Sequence, residues 1–240
     1  MLIAVINESK LVSNAQVATM CQAIQVQLDL HVLPAWNLKA ATITFYADAT
    51  KVPGYAWIVS MLDNSTQAGA LGYHAEDNDK VDAFIFAEPV LSNGGVVMVF
   101  NPANPDQYAV SATLSHEVCE MVGDRYAGGF SQGPQITAGN LYCQELCDPV
   151  ENDSYAIAVA GVQISVSNFL FPSWFNPEAT AINMPYDYLK KLTAPFTMDA
   201  GGYMIVATLS AEGQVTAKHV FGEKMPQWRK DYVKSEFYRR

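Results

Sequence analysis

Residues 115–124 carry the most informative stretch of this chain, Ser115-His116-Glu117-Val118-Cys119-Glu120-Met121-Val122-Gly123-Asp124. It holds one imidazole and three carboxylates at the end of a helical pattern. Side chains four positions apart lie on one face of a helix, so His116, Glu120 and Asp124 line up along it. Glu117 points about 100° away from His116 around the axis. The opposite face is apolar, with Val110, Leu114, Val118 and Met121 at helical spacing.

A second long helix and a series of strands are predicted before this stretch. Ser13-Asn14 supply helix N-caps, and apolar residues then recur at helical spacing as far as Pro34. Residues 68–73 are small and glycine-rich, which favours a strand at a sheet edge near a cleft. The acidic run Glu76-Asp77-Asn78-Asp79 indicates a solvated loop. Further strands are predicted at residues 1–6, 41–47, 55–62, 81–86 and 96–100.

The chain after the motif helix is predicted to be rich in β-structure. Ala160-Gly161 separates two apolar runs, which is typical of a hairpin. A short helix is expected near Tyr186 to Leu192. The predicted strands in this part are residues 155–159, 162–169, 202–209 and 214–221. The order predicts an α+β fold in which residues 1–125 and 126–240 form one continuous globular unit.

Composition narrows the classes of partner. Half of the residues are hydrophobic and 16% are charged, as in a globular chain, and a net charge of -10 argues against binding nucleic acid through its phosphates. We expect no signal peptide, because Met1 to Ile6 lacks a basic region and runs into polar residues. No apolar run approaches the roughly 18 residues of a membrane helix. These features predict a soluble protein of the cytoplasm or of a phage particle, and they leave its oligomeric state open.

The four cysteines do not form a pattern typical of a disulfide scaffold. Cys143 and Cys147 are separated by three residues, and common zinc knuckles and dithiol redox motifs have two. Reduced, buried thiols are therefore the expected state, and a redox function is the weakest interpretation.

The charged face of the motif helix has the donor types of a metal site. His followed by Glu begins the HExxH motif of zinc peptidases, but Glu120 stands here in place of the second His. A catalytic zinc takes three protein ligands and one water. His116 and Glu120 would supply two ligands, and Glu117 would act as the general base. The third would come from Asp124 or from the later pair Glu145 and Asp148.

The Glu-for-His exchange changes the expected ion chemistry. One imidazole with two carboxylates neutralises a divalent ion, so a bound water becomes less acidic than at a site with two histidines. Oxygen-rich ligation also admits Mn²⁺ or Ca²⁺ beside Zn²⁺. The alternative is a chance His-Glu pair on a solvated helix face. His74 follows the predicted edge strand, where a position at the cleft rim is open to it.

The motif and the later acidic segment together resemble a loosely described group of bacterial and phage proteins. These share an SHExxE helix and an ExxD segment, as do Ser115 to Glu120 and Glu145 to Asp148 here. Exordium-like plant proteins have a similar pair of motifs. The resemblance implies a zincin-like mixed sheet, in which the edge strand forms the upper rim of the substrate cleft above the motif helix. This chain departs from the plant pattern at two positions: Asp124 stands where the plant proteins have Asn, and Arg125 stands where they have Pro.

Two functions follow as hypotheses. The first is a metal-dependent hydrolase, most simply a zinc peptidase acting on peptides or proteins. The second is a structural or interaction protein, such as a phage particle component, that keeps the scaffold with a structural cation or none. An open groove at the ion would favour the first hypothesis, and a saturated, buried site would favour the second.

Overall fold

The computed structural model describes residues 1–65, 70–77, 80–124, 128–133, 140–176, 178, 185–209 and 215–231. Within these ranges the protein is a mixed α/β structure with a long N-terminal helix and sheets of five, four and two strands. This confirms the predicted mixture of helices and strands. One hydrophobic core contains Ile24, Leu114 and Phe169, which come from both halves of the chain. In these residues, no helix is both long and apolar enough to span a membrane.

The N-terminal sheet has the strand order β2-β1-β3-β5-β4. Its first four strands in this order are parallel, and only the edge strand β4 runs antiparallel to its neighbour β5. Ile3, Ala4 and Val5 at the centre are fully buried, as expected for a strand covered on both faces. The strands are β1 (Leu2–Asn7), β2 (Thr42–Tyr46), β3 (Trp57–Leu62), β4 (Gly72–Asp77) and β5 (Lys80–Phe86).

The edge strand lies further along the chain than the sequence indicated. It begins at Gly72 and continues through Glu76 and Asp77, so the prediction of a loop at these two acidic residues is wrong. Pairing with β5 gives Ala75 and Glu76 backbone partners in Asp82 and Val81. Of the predicted strand 68–73, residues 68–69 lie outside the described part of the chain, as do Asn78 and Asp79 of the acidic run.

The predicted N-terminal helix is confirmed as α1 (Asn14–Gln27), continued by a π-helical turn (Leu28–Val32) and α2 (Leu33–Trp36). Ser13 and Gln16 form a reciprocal capping box at its start. Pro34 lies in the first turn of α2, directly after the π-helical turn, and it has no N–H to donate to that turn. Asn37 ends the helix in the left-handed region with φ 50°.

The predicted strand at residues 96–100 is replaced by an extended connection. After β5 the chain forms the short helix α3 (Ala87–Ser92), and residues 96–100 make only isolated bridges. Their carbonyls have other partners: Val96 and Val97 accept from the first amides of the motif helix, Val110 and Ser111. That helix has no side-chain cap at Ala109, so this connection caps it through the main chain.

The motif helix is α4 (Val110–Gly123), and it packs against β4, β5, α1 and the hairpin strand β9 (Val162–Ser167). A closed polar network sets its rotation. Ser115 Oγ donates to Gln27 Oε1 at 2.6 Å and accepts from the Ser167 amide at 3.0 Å. Gln27 Nε2 in turn donates to the Ser167 carbonyl at 2.8 Å. Because all three residues are buried, each bond stabilises one orientation of α4.

The second half of the chain contains the predicted hairpin and terminal strands. The hairpin turn uses positive φ at Ala160 and Gly161, 48° and 85°, which matches the twist of the two strands it joins. The four-stranded sheet has the order β11-β10-β7-β6. The strands are β6 (Phe130–Gln132), β7 (Asn140–Cys143), β8 (Ser154–Val159), β9 (Val162–Ser167), β10 (Tyr203–Leu209) and β11 (Val215–Phe221).

The helix predicted near Tyr186 to Leu192 is wrong. Asp187 forms a bridge with Leu170, and Lys190 lies in the left-handed region with φ 59°. The Asp187 carboxylate accepts from the amides of Lys191 and Leu192. A short acidic side chain that captures nearby amides competes with helix formation, and here it fixes a turn.

Candidate metal centre

Three elements bring two imidazoles and four carboxylates together below the edge strand β4. We call these six residues the His/carboxylate cluster: His74 on β4, His116, Glu117 and Glu120 on α4, and Glu145 and Asp148 in the segment after β7. Every member is at most 7% exposed. The motif face of α4 is therefore buried, which contradicts the alternative of a His-Glu pair on a solvated helix face.

His116 lies between two carboxylates. Its Nε2 is 3.2 Å from Glu120 Oε1 and 3.1 Å from Asp148 Oδ1. Two ligand atoms at about 2.0–2.1 Å from one tetrahedral zinc are about 3.3–3.4 Å apart. The distance from each carboxylate oxygen to the His116 nitrogen is therefore close to the distance between two ligands of one zinc ion. Burial disfavours the imidazolium, but the Glu120 carboxylate and the Asp148 hydrogen bond hold the pKa of His116 well above its usual range.

Glu120 is the central carboxylate of the cluster. Its Oε1 also accepts from the Cys147 amide at 3.1 Å, and its Oε2 is 3.7 Å from His74 Nδ1. Burial, with added repulsion from Asp148 and Glu145, raises the pKa of Glu120 to about 8, against the opposing effect of His116. Without a cation, this carboxyl therefore holds a proton more readily than a solvent-exposed glutamate does.

His74 enters the cluster from the edge strand, and the sequence indicated it only as a cleft-rim residue. Its Nδ1 donates to Glu117 Oε2 at 3.4 Å, and its Nε2 donates to the Asp124 carbonyl at 3.3 Å. Burial opposes its charge, but the Glu117 hydrogen bond and nearby carboxylates, Glu145 first among them, raise the pKa of His74 to about 9. The sequence signal for His74 is its spacing from Gly72. The two residues are two positions apart, so they lie on the same face of β4.

Gly72 leaves the space that the Glu117 carboxylate occupies. A Cβ at this position would lie 2.9 Å from Glu117 Oε1 and 3.1 Å from the Phe84 carbonyl. The close approach of β4 to α4 therefore depends on glycine here. Glu117 in turn lines a cavity of about 30 Å³, room for one or two waters, together with His116 and Gly72.

The lining of this cavity also contains a buried ion pair that the sequence did not indicate. Arg229 Nε donates to Glu151 Oε1 at 2.6 Å, and both residues line the cavity with Tyr108. Arg229 is 3% exposed. Its position 78 residues after Glu151 depends on tertiary packing that local sequence does not encode.

Asp124 occupies a different place from the one predicted. The helix ends at Gly123, and Asp124 is the cap residue with φ -133° and ψ 76°, so the line of side chains four apart stops at Glu120. Its Oδ2 accepts from the amides of Gly128 and Gly129 at 3.1 and 2.7 Å. This oxygen holds the loop after α4, while the main-chain carbonyl faces His74.

The ExxD segment lies against the motif helix, as its predicted role requires. Glu145 is buried, and its Oε1 accepts from the Cys143 thiol at 3.7 Å. Asp148 begins a 3₁₀ turn through Val150, which points its carboxylate at His116. Both members of the segment thus join the cluster.

The cysteines are buried, and none forms a disulfide. Cys147 adds a possible sulfur ligand, because its Sγ lies within 4.8 Å of ligand atoms from His116 and Glu120. Burial holds the pKa of the Cys147 thiol well above its usual range, so the thiol is neutral without an ion.

In the described ranges there are two sets of three residues that could hold an ion. Within each set, the potential ligand atoms all lie within 4.8 Å of one another. One is His116, Glu120 and Cys147, and the other is His74, Glu117 and Glu120. Imidazole nitrogen with carboxylate oxygen suits zinc and other first-row divalent ions. The donor types and spacing therefore fit a metal ion.

Comparison of the chain with protein-family models, curated proteins and solved structures found no significant match in any of the three.

Proposed function

We propose that this protein is a metal-dependent hydrolase and that its substrate is a peptide or protein. One observation carries the proposal: His116 Nε2 has carboxylate oxygens of Glu120 and Asp148 at 3.2 and 3.1 Å, beside a cavity that Glu117 also lines. A zincin-like arrangement is part of the proposal. Its support is the antiparallel edge strand β4 packed over the motif helix α4.

The residues divide into two roles. His116, Glu120 and a carboxylate of the ExxD segment, Asp148 or Glu145, hold the ion. An ion held there, Zn²⁺ or Mn²⁺ in this oxygen-rich site, would polarise a carbonyl and lower the pKa of a bound water. Glu117 accepts the proton of the attacking water, since its carboxylate is on the cavity wall next to His116.

The test compares metal content and hydrolysis in the wild type and Glu117→Gln. With Zn²⁺ or Mn²⁺ loaded, we expect cleavage of casein or a mixture of quenched fluorescent peptides. The Gln variant should keep the ion at His116 and lose at least about 100-fold in rate, because it cannot accept the proton. Glu88→Gln, at an exposed position on α3, is the matched control and should leave the rate unchanged. Protein that binds no ion, or hydrolysis that survives Glu117→Gln, would contradict the proposal.

A structural cation in a non-catalytic protein, such as a phage particle component, is the second candidate. Burial of the whole cluster and the small cavity beside it favour this alternative. Under it, chelation lowers the melting temperature, and no peptide mixture is cleaved at any metal loading.

A further inference from the structure

The two oxygens of Glu120 face different imidazoles. Oε1 is 3.2 Å from His116 Nε2, and Oε2 is 3.7 Å from His74 Nδ1. The carboxylate thus lies between the two ligand groups and belongs to both. A carboxylate in this position can bind one ion through each oxygen.

We propose that the cluster holds two divalent ions bridged by Glu120. One ion takes His116 and Asp148, with Cys147 nearby, and the other takes His74 and one oxygen of Glu117, whose second oxygen stays the proton acceptor of the proposed function. The inference rests on the proposed metal site at His116 and adds a second position that the helix motif does not contain.

Charge balance supports two ions. The cluster holds four carboxylates, at Glu117, Glu120, Glu145 and Asp148, and each is at most 5% exposed. With neutral imidazoles and one divalent ion, the buried net charge is about -2, whereas two divalent ions bring it to about zero. An uncompensated buried charge costs several kcal/mol. In the described structure, Glu117, Glu120 and Asp148 form ion pairs only with the imidazoles of His74 and His116. A metal ion bound to these imidazoles would displace their protons, so the imidazoles would no longer supply positive charge.

The donor composition supports the same conclusion. Two histidines with four carboxylates is the set with which some helical bundles hold two iron or manganese ions. The fold here is different, so the argument concerns only the donors. Two-metal hydrolytic sites place the ions about 3.5–4 Å apart, a distance that one carboxylate spans.

Gly72 is the backbone feature that makes the second position possible. It lets β4 approach α4 until Glu117 Oε1 lies 2.9 Å from the place of a Cβ. His74, on the same face of the strand, thereby reaches Glu117 and Glu120 together. A larger residue at 72 would separate the strand from the helix.

The test is titration of the metal-free full-length protein with Mn²⁺, followed by binding stoichiometry and electron paramagnetic resonance. We expect two Mn²⁺ per chain with a spin-coupled spectrum. His74→Gln should bind one Mn²⁺ and lose the coupling, and the matched control His219→Gln, on β11 in another sheet, should keep both.

Each other outcome has a defined meaning. One Mn²⁺ in the wild type overturns the second position and leaves the proposed function standing. No bound Mn²⁺ and no bound Zn²⁺ overturns both. Two uncoupled ions overturn the bridge by Glu120, and two ions in His74→Gln overturn the assignment of His74. The wild-type spectrum decides the proposal even if His74→Gln fails to fold.

Discussion

Two carboxylates with buried side chains line the same cavity and are neutralised in different ways. Glu151 is paired with Arg229, whose guanidinium keeps its charge at any accessible pH. Glu117 is paired with the imidazole of His74, and His116 also lines the cavity. Glu151 thus has a permanent counter-charge. The charge of Glu117 is balanced only by protons, which a metal ion can replace, and this difference identifies the His/carboxylate cluster as the candidate ion site.

The largest expected effect comes from breaking the fixed pair. Arg229→Met should lower the free energy of unfolding by about 3–5 kcal/mol, because it leaves Glu151 buried without a counter-charge. Its metal content should not change. Urea denaturation and elemental analysis measure the two quantities. The double variant with Glu151→Gln should recover part of the stability. Loss of the ion in Arg229→Met alone would show that the His/carboxylate cluster depends on the Glu151–Arg229 pair.

The second expectation concerns pH. Without metal the pKa of His74 is raised to about 9 and that of Glu120 to about 8, so at neutral pH the cluster holds protons that an ion must displace. Ion binding needs neutral His74 and ionised Glu120, so it releases protons. Apparent affinity should therefore rise about tenfold per pH unit for each proton released, from about pH 6 to pH 8. Calorimetric titration in buffers of different ionisation enthalpy counts the protons, and an affinity independent of pH would rule out exchange of protons for metal.

A third prediction tests the approach of β4 to α4. Gly72→Ala should cost about 1–3 kcal/mol of stability and weaken ion binding, because its Cβ displaces the Glu117 carboxylate. Gly54→Ala is the control, since nothing lies within 4 Å of a Cβ there. Thermal denaturation and Mn²⁺ titration measure the effects. Equal behaviour of the two variants would mean that the contact between strand and helix is loose.

The smallest effect is expected at the network behind α4. Ser115→Ala removes the bonds to Gln27 and Ser167 and should cost about 1–2 kcal/mol, with metal stoichiometry kept. Denaturant unfolding measures it against Ser92→Ala, whose exposed hydroxyl makes one long bond to Pro89. A stability loss no larger than that of the control would mean that this network does not hold the helix.

Much of this arrangement could be predicted because the signals are local. The capping residue Ser13, the hairpin turn at Ala160-Gly161 and the face of α4 that carries His116 and Glu120 all follow from short-range spacing. The sequence offered Asp148 only as one of several sources of the third ligand, because 32 residues separate it from His116.

The errors arose where side chains or tertiary contacts override local pattern. Asp187 captures amides and turns a predicted helix into a loop. His74 joins the cluster because β4 is a strand as far as Asp77, and only the sheet places that face over α4. Asp124 leaves the line of ligands because the helix ends one residue earlier.

Metal content is the most direct test of the central claim, that the His/carboxylate cluster is a site for divalent metal. Protein purified without chelator or affinity tag should contain Zn²⁺, Mn²⁺ or another first-row divalent ion by elemental analysis, at one or more ions per chain. His116→Ala should lose the ion that His116 holds, because that imidazole lies between Glu120 and Asp148. Wild-type protein with no bound metal, and none taken up from Zn²⁺ or Mn²⁺ solutions, would contradict the account.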